Sequence, residues 1–389
     1  MEEKRTIMMV AGEASGDGHA AKLVRAVREQ EPATQFEFFG AAGPKMRDEG
    51  VEAVVESDSL SIVGLAEIGR ALPMFLRAKR DLKKAALARK PDVVVLVDFP
   101  DFNLKLAKSL KKLGFKVVYY ISPQLWAWRK YRISTIRRYV DLLITILPFE
   151  KDWYAANGVN HVEYVGSPLA KEVSSGRSRE EFCIDAGLDP AKPILALLPG
   201  SRHKEIVRIL PVMLGAARRM LETVSNAQFV IAASSVEAKD DIDRVAADFA
   251  VDDQVTVFEN QTYDILNAAD VAAVTSGTAT LETGIIGTPM AIVYKTSAIN
   301  YSLLEPLISV EHYGLINLIA GERVAKELIQ HDFTAETLAT ELLRLLEPAV
   351  NADTRAKLHL ATEKLGHGGA SKRAAEAILA LLDQTQNQT

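Results

Sequence analysis

The sequence predicts an α/β protein made of two doubly wound, Rossmann-like domains in tandem. Its 389 residues suit two domains of ordinary size. Short apolar runs alternate with helical patterns along the whole chain, which implies parallel sheets covered by helices. The alternation also restarts after a polar stretch, 167–192, bounded by Pro168 and Pro193. The expected units are residues 1–170, residues 190–350, and a C-terminal helix over 351–389 that packs back on an N-terminal domain. An interdomain cleft is expected, because the carboxyl ends of the strands in such sheets face the ligand crevice.

In the first half, strands are expected at 5–11, 34–39, 52–55, 92–98, 116–121, 141–146 and 162–165. The runs VVVLV and VVYYI are continuously apolar, as strands buried on both faces should be. Helices fall between them, for instance at 17–30 and 101–113. In the second half the strands are 194–198, 228–233, 255–258, 271–275 and 290–294. Helices are expected at 203–224, 262–268, 278–287, 335–347 and, as one long element, 352–383. The loops after 11, 98, 121, 198 and 275 are therefore the ones that should meet a ligand.

Composition excludes several classes. A net charge of −5 does not suit a nucleic-acid binder. The single cysteine, Cys183, rules out a disulfide within the chain and fits a reducing compartment. The N-terminus lacks a signal peptide's apolar stretch, and no run of about 18 apolar residues suggests a transmembrane helix. No H-x-x-x-H or C-x-x-C spacing suggests a metal, so neither metal nor cofactor is expected.

The first glycine loop, GEASGDGHAA, contains a G-x-G-x-x-A match at Gly16–Ala21. A nicotinamide site would also need an acid at the end of the second strand, and Phe39-Gly40-Ala41 has none. Glu13, Ser15 and Asp17 put side-chain oxygens into this loop, and Gly16 would allow close approach. That suits a hydroxyl-rich ligand; the plainer reading is a tight turn with Ser15 or Asp17 as a helix cap.

A diphosphate fits better further on. Ser276-Gly277-Thr278-Ala279-Thr280 follows a buried strand and opens a helix, where free N–H groups and the dipole favour an anion. The hydroxyls of Ser276, Thr278 and Thr280 would add donors, and Glu282 could accept both hydroxyls of a ribose. Arg202, in the loop after 198, can fork onto a phosphate. Neither loop has the G-K-[ST] of a triphosphatase. A capped helix with an ordinary surface Glu remains the plain alternative. Asp98 ends the strand VVVLV, where burial would raise its pKa toward that of a general base. Asp101 reads as a helix cap.

Two features suggest a lipid surface. Ile62, Leu65, Ile68, Leu72, Phe75 and Leu76 fall near one helical face, flanked by Arg70, Arg77, Lys79, Arg80, Lys83 and Lys84. An ordinary amphipathic helix packed on the sheet is the alternative. Trp126 and Trp128, followed by Arg129 and Arg132, could stack on and pair with a phosphorylated substrate. Aromatic and basic residues together also suit RNA, but the acidic balance opposes that.

The combined motifs GEASGD at 12–17, VDFPDFN at 97–103, SPQLWAWR at 122–129, LPGSR at 198–202, TSGTATLE at 275–282, GTPMAIVYK at 287–295 and Asn317-Leu318-Ile319 resemble the lipid A disaccharide synthases. The resemblance covers nearly the whole chain. It implies a GT-B fold, two Rossmann-like domains carrying an inverting glycosyltransferase. It also implies transfer from UDP-2,3-diacylglucosamine to 2,3-diacylglucosamine-1-phosphate (lipid X), giving the β-1,6 disaccharide and UDP. Asp98 would then be the base, and Asn317 would lie in the donor half. The enzyme would be cytoplasmic and peripheral on the inner membrane, with Ile62, Leu65, Leu72, Phe75 and Leu76 at the lipid. Whether it forms a homodimer is left open. Ser167, Ile316 and Lys326 depart from the family's usual His, Pro and Pro. Competing readings are an epimerase of UDP-N-acetylglucosamine on the same fold, a two-lobed sugar-binding protein and an oxidoreductase.

Overall fold

A computed structural model describes residues 4–57, 68–247, 249, 255–297 and 311–386. The described residues divide into two compact units, 1–168 with 368–389, and 169–367.

The first unit holds a seven-stranded sheet. Its strands are β1 (Lys4–Ala11), β2 (Gln35–Ala42), β3 (Glu52–Glu56), β4 (Val93–Val97), β5 (Val117–Tyr120), β6 (Leu142–Thr145) and β7 (Val162–Tyr164). The order is β3-β2-β1-β4-β5-β6-β7, with parallel pairing throughout. Alternate side chains of β1 and β4 feed opposite layers. Ile7, Met9, Val93 and Val95 pack against the helices Ala14–Gln30 and Ala370–Gln386. Met8, Val10, Val94 and Leu96 pack against Ile68–Arg89 and Pro100–Lys111. Burial on both faces explains why VVVLV reads as an unbroken apolar run.

The second unit has β8 (Ile194–Leu198), β9 (Gln228–Ala233), β10 (Val255–Glu259), β11 (Val271–Thr275), β12 (Met290–Tyr294) and β13 (Lys326–Ile329). They form a parallel sheet in the order β10-β9-β8-β11-β12-β13. In each sheet the chain first builds outward on one side and then crosses to the other. The switch points lie between β1 and β4 and between β8 and β11. Ligand crevices open at such points, outside the carboxyl ends of the strands.

The structure departs from the sequence reading at the C-terminus and at β13, and it adds two helices that the reading does not give, Val236–Ala246 and Leu315–Ala320. The sequence predicts one helix over 352–383; two are present, Pro348–Glu363 and Ala370–Gln386. Gly366, Gly368 and Gly369 between them have φ of 83°, 83° and 73°, which no continuing α-helix allows. The return to the first unit thus begins at 368 rather than 351. The C-terminal helix is tied there by Arg5 donating to Asp383 at 2.8 Å and Arg373 donating to the Val165 carbonyl at 2.8 Å. Strand β13 is not expected from the sequence, because a four-residue edge strand beginning Lys-Glu carries no period-two apolar signal.

Candidate active site

At the first switch point, β1 and β4 deliver two acids. Glu13 follows β1 and is exposed at the start of the helix Ala14–Gln30. Asp98 follows β4 and is half-buried. Its carboxyl pKa is pushed from 3.8 to about 6, first by burial and then by the nearby Glu13 charge. A hydrogen bond from the Phe99 N–H offsets part of the rise. The chain leaves β4 through two left-handed residues, Asp98 (φ 48°) and Phe99 (φ 51°). Such torsions cost a non-glycine residue on the order of 1 to 3 kcal/mol each and concentrate at functional sites. Asp98 is held through its backbone. Its N–H donates to the Tyr120 carbonyl at 3.0 Å. Its carbonyl accepts from the Tyr119 hydroxyl at 2.7 Å and from Asn103 Nδ2 at 2.8 Å.

The glycine loop differs from its reading. Ser15 is exposed, but Gly16 and Asp17 are buried. Asp17 is only 2% exposed, and its carboxylate accepts from the N–H groups of Gly43, Lys45 and Met46 at 2.8, 2.9 and 3.2 Å. It therefore anchors the start of the short helix Pro44–Asp48 and presents no free oxygen to an acceptor. Gly12, too, answers a neighbour within the chain: a Cβ there would lie 2.2 Å from Phe99 Cδ1.

Trp126 also differs from its reading as an exposed stacking residue. It is 6% exposed, meets Phe149 edge-on at 5.1 Å, and donates from Nε1 to Glu150 at 3.0 Å. Glu150 is itself buried, which pushes its carboxyl up to about 7. Trp128 stays partly exposed, with the Arg129 guanidinium 4.0 Å from its ring centroid. Arg129 and Arg132 both pair with Asp101, which makes Asp101 an ion-pair partner.

Of the residues expected at a lipid surface, Ile62 and Leu65 lie outside the described residues. Leu72 and Leu76 are 54% and 59% exposed. Phe75 turns inward instead, 6.0 Å from both Phe99 and Phe102, so it belongs to the packing beneath Asp98. No helix among the described residues is long and apolar enough to cross a membrane.

At the second switch point, the loops after β8 and β11 line a cavity of about 370 Å³. Its wall includes Arg202, Ser276, Gly277, Thr278 and Glu282. Gly277 (φ 154°) precedes the helix Thr278–Ile286; the Thr280 N–H donates to the Gly277 carbonyl at 3.2 Å, which leaves those of Thr278 and Ala279 as the ones this helix start offers an anion. Arg202 is largely exposed and paired with Glu205 at 3.1 Å. Ser276 gives its hydroxyl proton to the Tyr313 carbonyl at 2.9 Å, so toward a ligand it can only accept.

Two expected donor contacts are turned inward. Thr280 is fully buried and its hydroxyl returns to the Gly277 carbonyl at 2.8 Å. Asn317 is fully buried: Nδ2 donates to Ala325 O and Glu327 Oε1, and Oδ1 accepts from Ala325 N–H. Glu327 also accepts from the N–H groups of Tyr313 and Gly314. Asn317 thus braces the loop that holds Ser276, rather than reaching a ligand.

Sequence reasoning missed Tyr263. Its hydroxyl donates to Glu282 Oε1 at 3.0 Å, where Glu282, its pKa raised by burial, borders a second cavity of about 440 Å³. Asn260, Gln261 and Thr262 line that cavity after β10. The chain turns there through a left-handed Asn260 (φ 56°), a conformation asparagine tolerates better than most residues.

Two doubly wound parallel sheets in one chain, of seven and six strands, are the architecture of the GT-B class of glycosyltransferases and related epimerases. Solved structures agree on the fold. A UDP-N-acetylglucosamine 2-epimerase described as putative, from Listeria monocytogenes, superposes with a TM-score of 0.64 at 17% identity, covering 99% of this chain and 98% of its own. A glycosyltransferase from Rickettsia africae gives 0.58 at 12% identity, covering 98% and 99%. The family model described as lipid-A-disaccharide synthetase matches residues 7–381. The lipid-A-disaccharide synthases of Trichlorobacter lovleyi and Geobacter sulfurreducens are each 42% identical, the first over 98% of both chains and the second over 97%. The chain belongs to the lipid-A-disaccharide synthase family, and its activity is that of a glycosyltransferase in lipid A biosynthesis.

Proposed function

We propose that the chain transfers 2,3-diacylglucosamine from its UDP donor to the 6-hydroxyl of 2,3-diacylglucosamine-1-phosphate (lipid X), with inversion. The observation that carries the reading is Asp98, a half-buried acid at a switch point whose pKa of about 6 leaves it ionised yet basic near neutrality. Asp98 takes the proton of the acceptor's 6-hydroxyl. That oxygen attacks the donor's anomeric carbon from the face opposite UDP. The anomeric C–O bond breaks and its electron pair leaves on the diphosphate. Arg202 and the first N–H groups of the helix Thr278–Ile286 stabilise the charge that grows there. Glu282, oriented by Tyr263, accepts the ribose hydroxyls. Glu13 and Ser15, with Trp128, are the acceptor-side groups left exposed. The enzyme works at the cytoplasmic face of the inner membrane, where both substrates are anchored by their acyl chains, and Leu72 and Leu76 meet the lipid.

The test is Asp98→Asn, assayed with both diacylated substrates and by UDP binding. Loss of a general base should lower kcat by about 100- to 10,000-fold. UDP affinity should be unchanged, because Arg202 and Glu282 belong to the other unit. Unchanged turnover would remove Asp98 from the mechanism.

A further inference from the structure

We infer that Phe99 is a positioning residue: its ring, seated on Gly12, Phe75 and Phe102, holds the left-handed turn that sets Asp98 for proton transfer. The inference rests on the reading of Asp98 as the base. Asp98 and Phe99 are consecutive left-handed residues, a conformation for which glycine is the least strained choice. A phenylalanine stands at the second position, and its ring lies where a Gly12 side chain would be. It also lies 5.7 Å from Phe102 and 6.0 Å from Phe75. The backbone of Asp98 is already fixed by Tyr120, Tyr119 and Asn103. Packing of the next residue's ring then removes the freedom of the Phe99 torsions. The clamp so inferred would also shield the acid from water. Gly12 is the counterpart of this clamp, since any side chain there would push the ring away.

A ring that only filled the core would affect stability, with no kinetic signature. Phe99→Gly separates the two, because glycine accepts the left-handed torsions without strain but supplies no ring. The expected result is a fall in kcat of about 10- to 100-fold, the size of a small misplacement of a catalytic group. KM for the UDP donor should stay within about twofold. The acid limb of the kcat/KM profile should move from about 6 toward 3.8 as water reaches the carboxylate. Gly12→Ala should give the same signature. Should Phe99→Gly not fold, Phe99→Leu alone is read for the same kcat loss and acid-limb shift. A folded Phe99 variant with the parental kcat and acid limb would overturn the inference. If Asp98→Asn is inactive while Phe99→Gly behaves as the parent, the clamp falls and the base stands. If Asp98→Asn is fully active, the base reading itself falls.

Discussion

Burial that would make Asp98 a usable base also makes it a source of instability. Its pKa in the folded chain, about 6, lies above the ordinary 3.8. Between those values the folded state binds the proton more tightly than the unfolded state does. The stability it contributes is complete below pH 3.8 and is lost as pH rises through about 6. Above pH 6 the buried charge therefore opposes folding, by at most about 3 kcal/mol at roughly 1.4 kcal/mol per pKa unit. Asp98→Asn should accordingly be more stable than the parent at pH 8. The gain should vanish on lowering the pH below 4, measured by denaturant unfolding at both values. Residue identity made Asp98 legible, because an acid at the end of an apolar run is unusual. It could not reveal where a side chain turns. Asp17 finds its partners 26 to 29 positions away and Trp126 finds Glu150 24 positions away. Nothing local distinguishes such acids and aromatics from those that stay open.

At the scale of elements, the loops after β8 and β11 work as a pair. Arg202 is 82% exposed at its side chain and supports little of the fold. Arg202→Ala should raise KM for the UDP donor by about tenfold or more, consistent with losing a charge-assisted hydrogen bond. The melting temperature should hardly move. Steady-state kinetics and a thermal scan on one preparation check both. The helix Ile68–Arg89 divides its apolar residues between two tasks: Phe75 packs inward on Phe99, while Leu72 and Leu76 face out. Leu72→Ser with Leu76→Ser should weaken flotation with anionic liposomes and leave the fold intact. Equal flotation would remove these leucines from lipid contact. The amphipathic period announced such a helix but not its division, since Phe75 and Leu76 are adjacent and nearly the same in hydrophobicity.

Across the whole molecule, the C-terminal helix belongs to the unit in which the chain begins. Ala374, Ile378 and Leu382 enter the core formed by Ile7, Val24 and Val95. Truncation after His367 should therefore destabilise the first unit and spare the second. Hydrogen exchange should quicken in the helix Ala14–Gln30 and stay slow in β8 and β11. Alternation of apolar runs and helical periods is a local property, readable in a dozen residues at a time. For that reason the two α/β halves, their buried strands and the family all follow from the sequence. Strand order, the turn at Gly366–Gly369, and the inward placing of Asp17, Trp126, Thr280 and Asn317 follow only from the tertiary structure. These depend on partners distant in the chain, and a buried polar group is committed by whichever donor or acceptor the fold brings within about 3 Å.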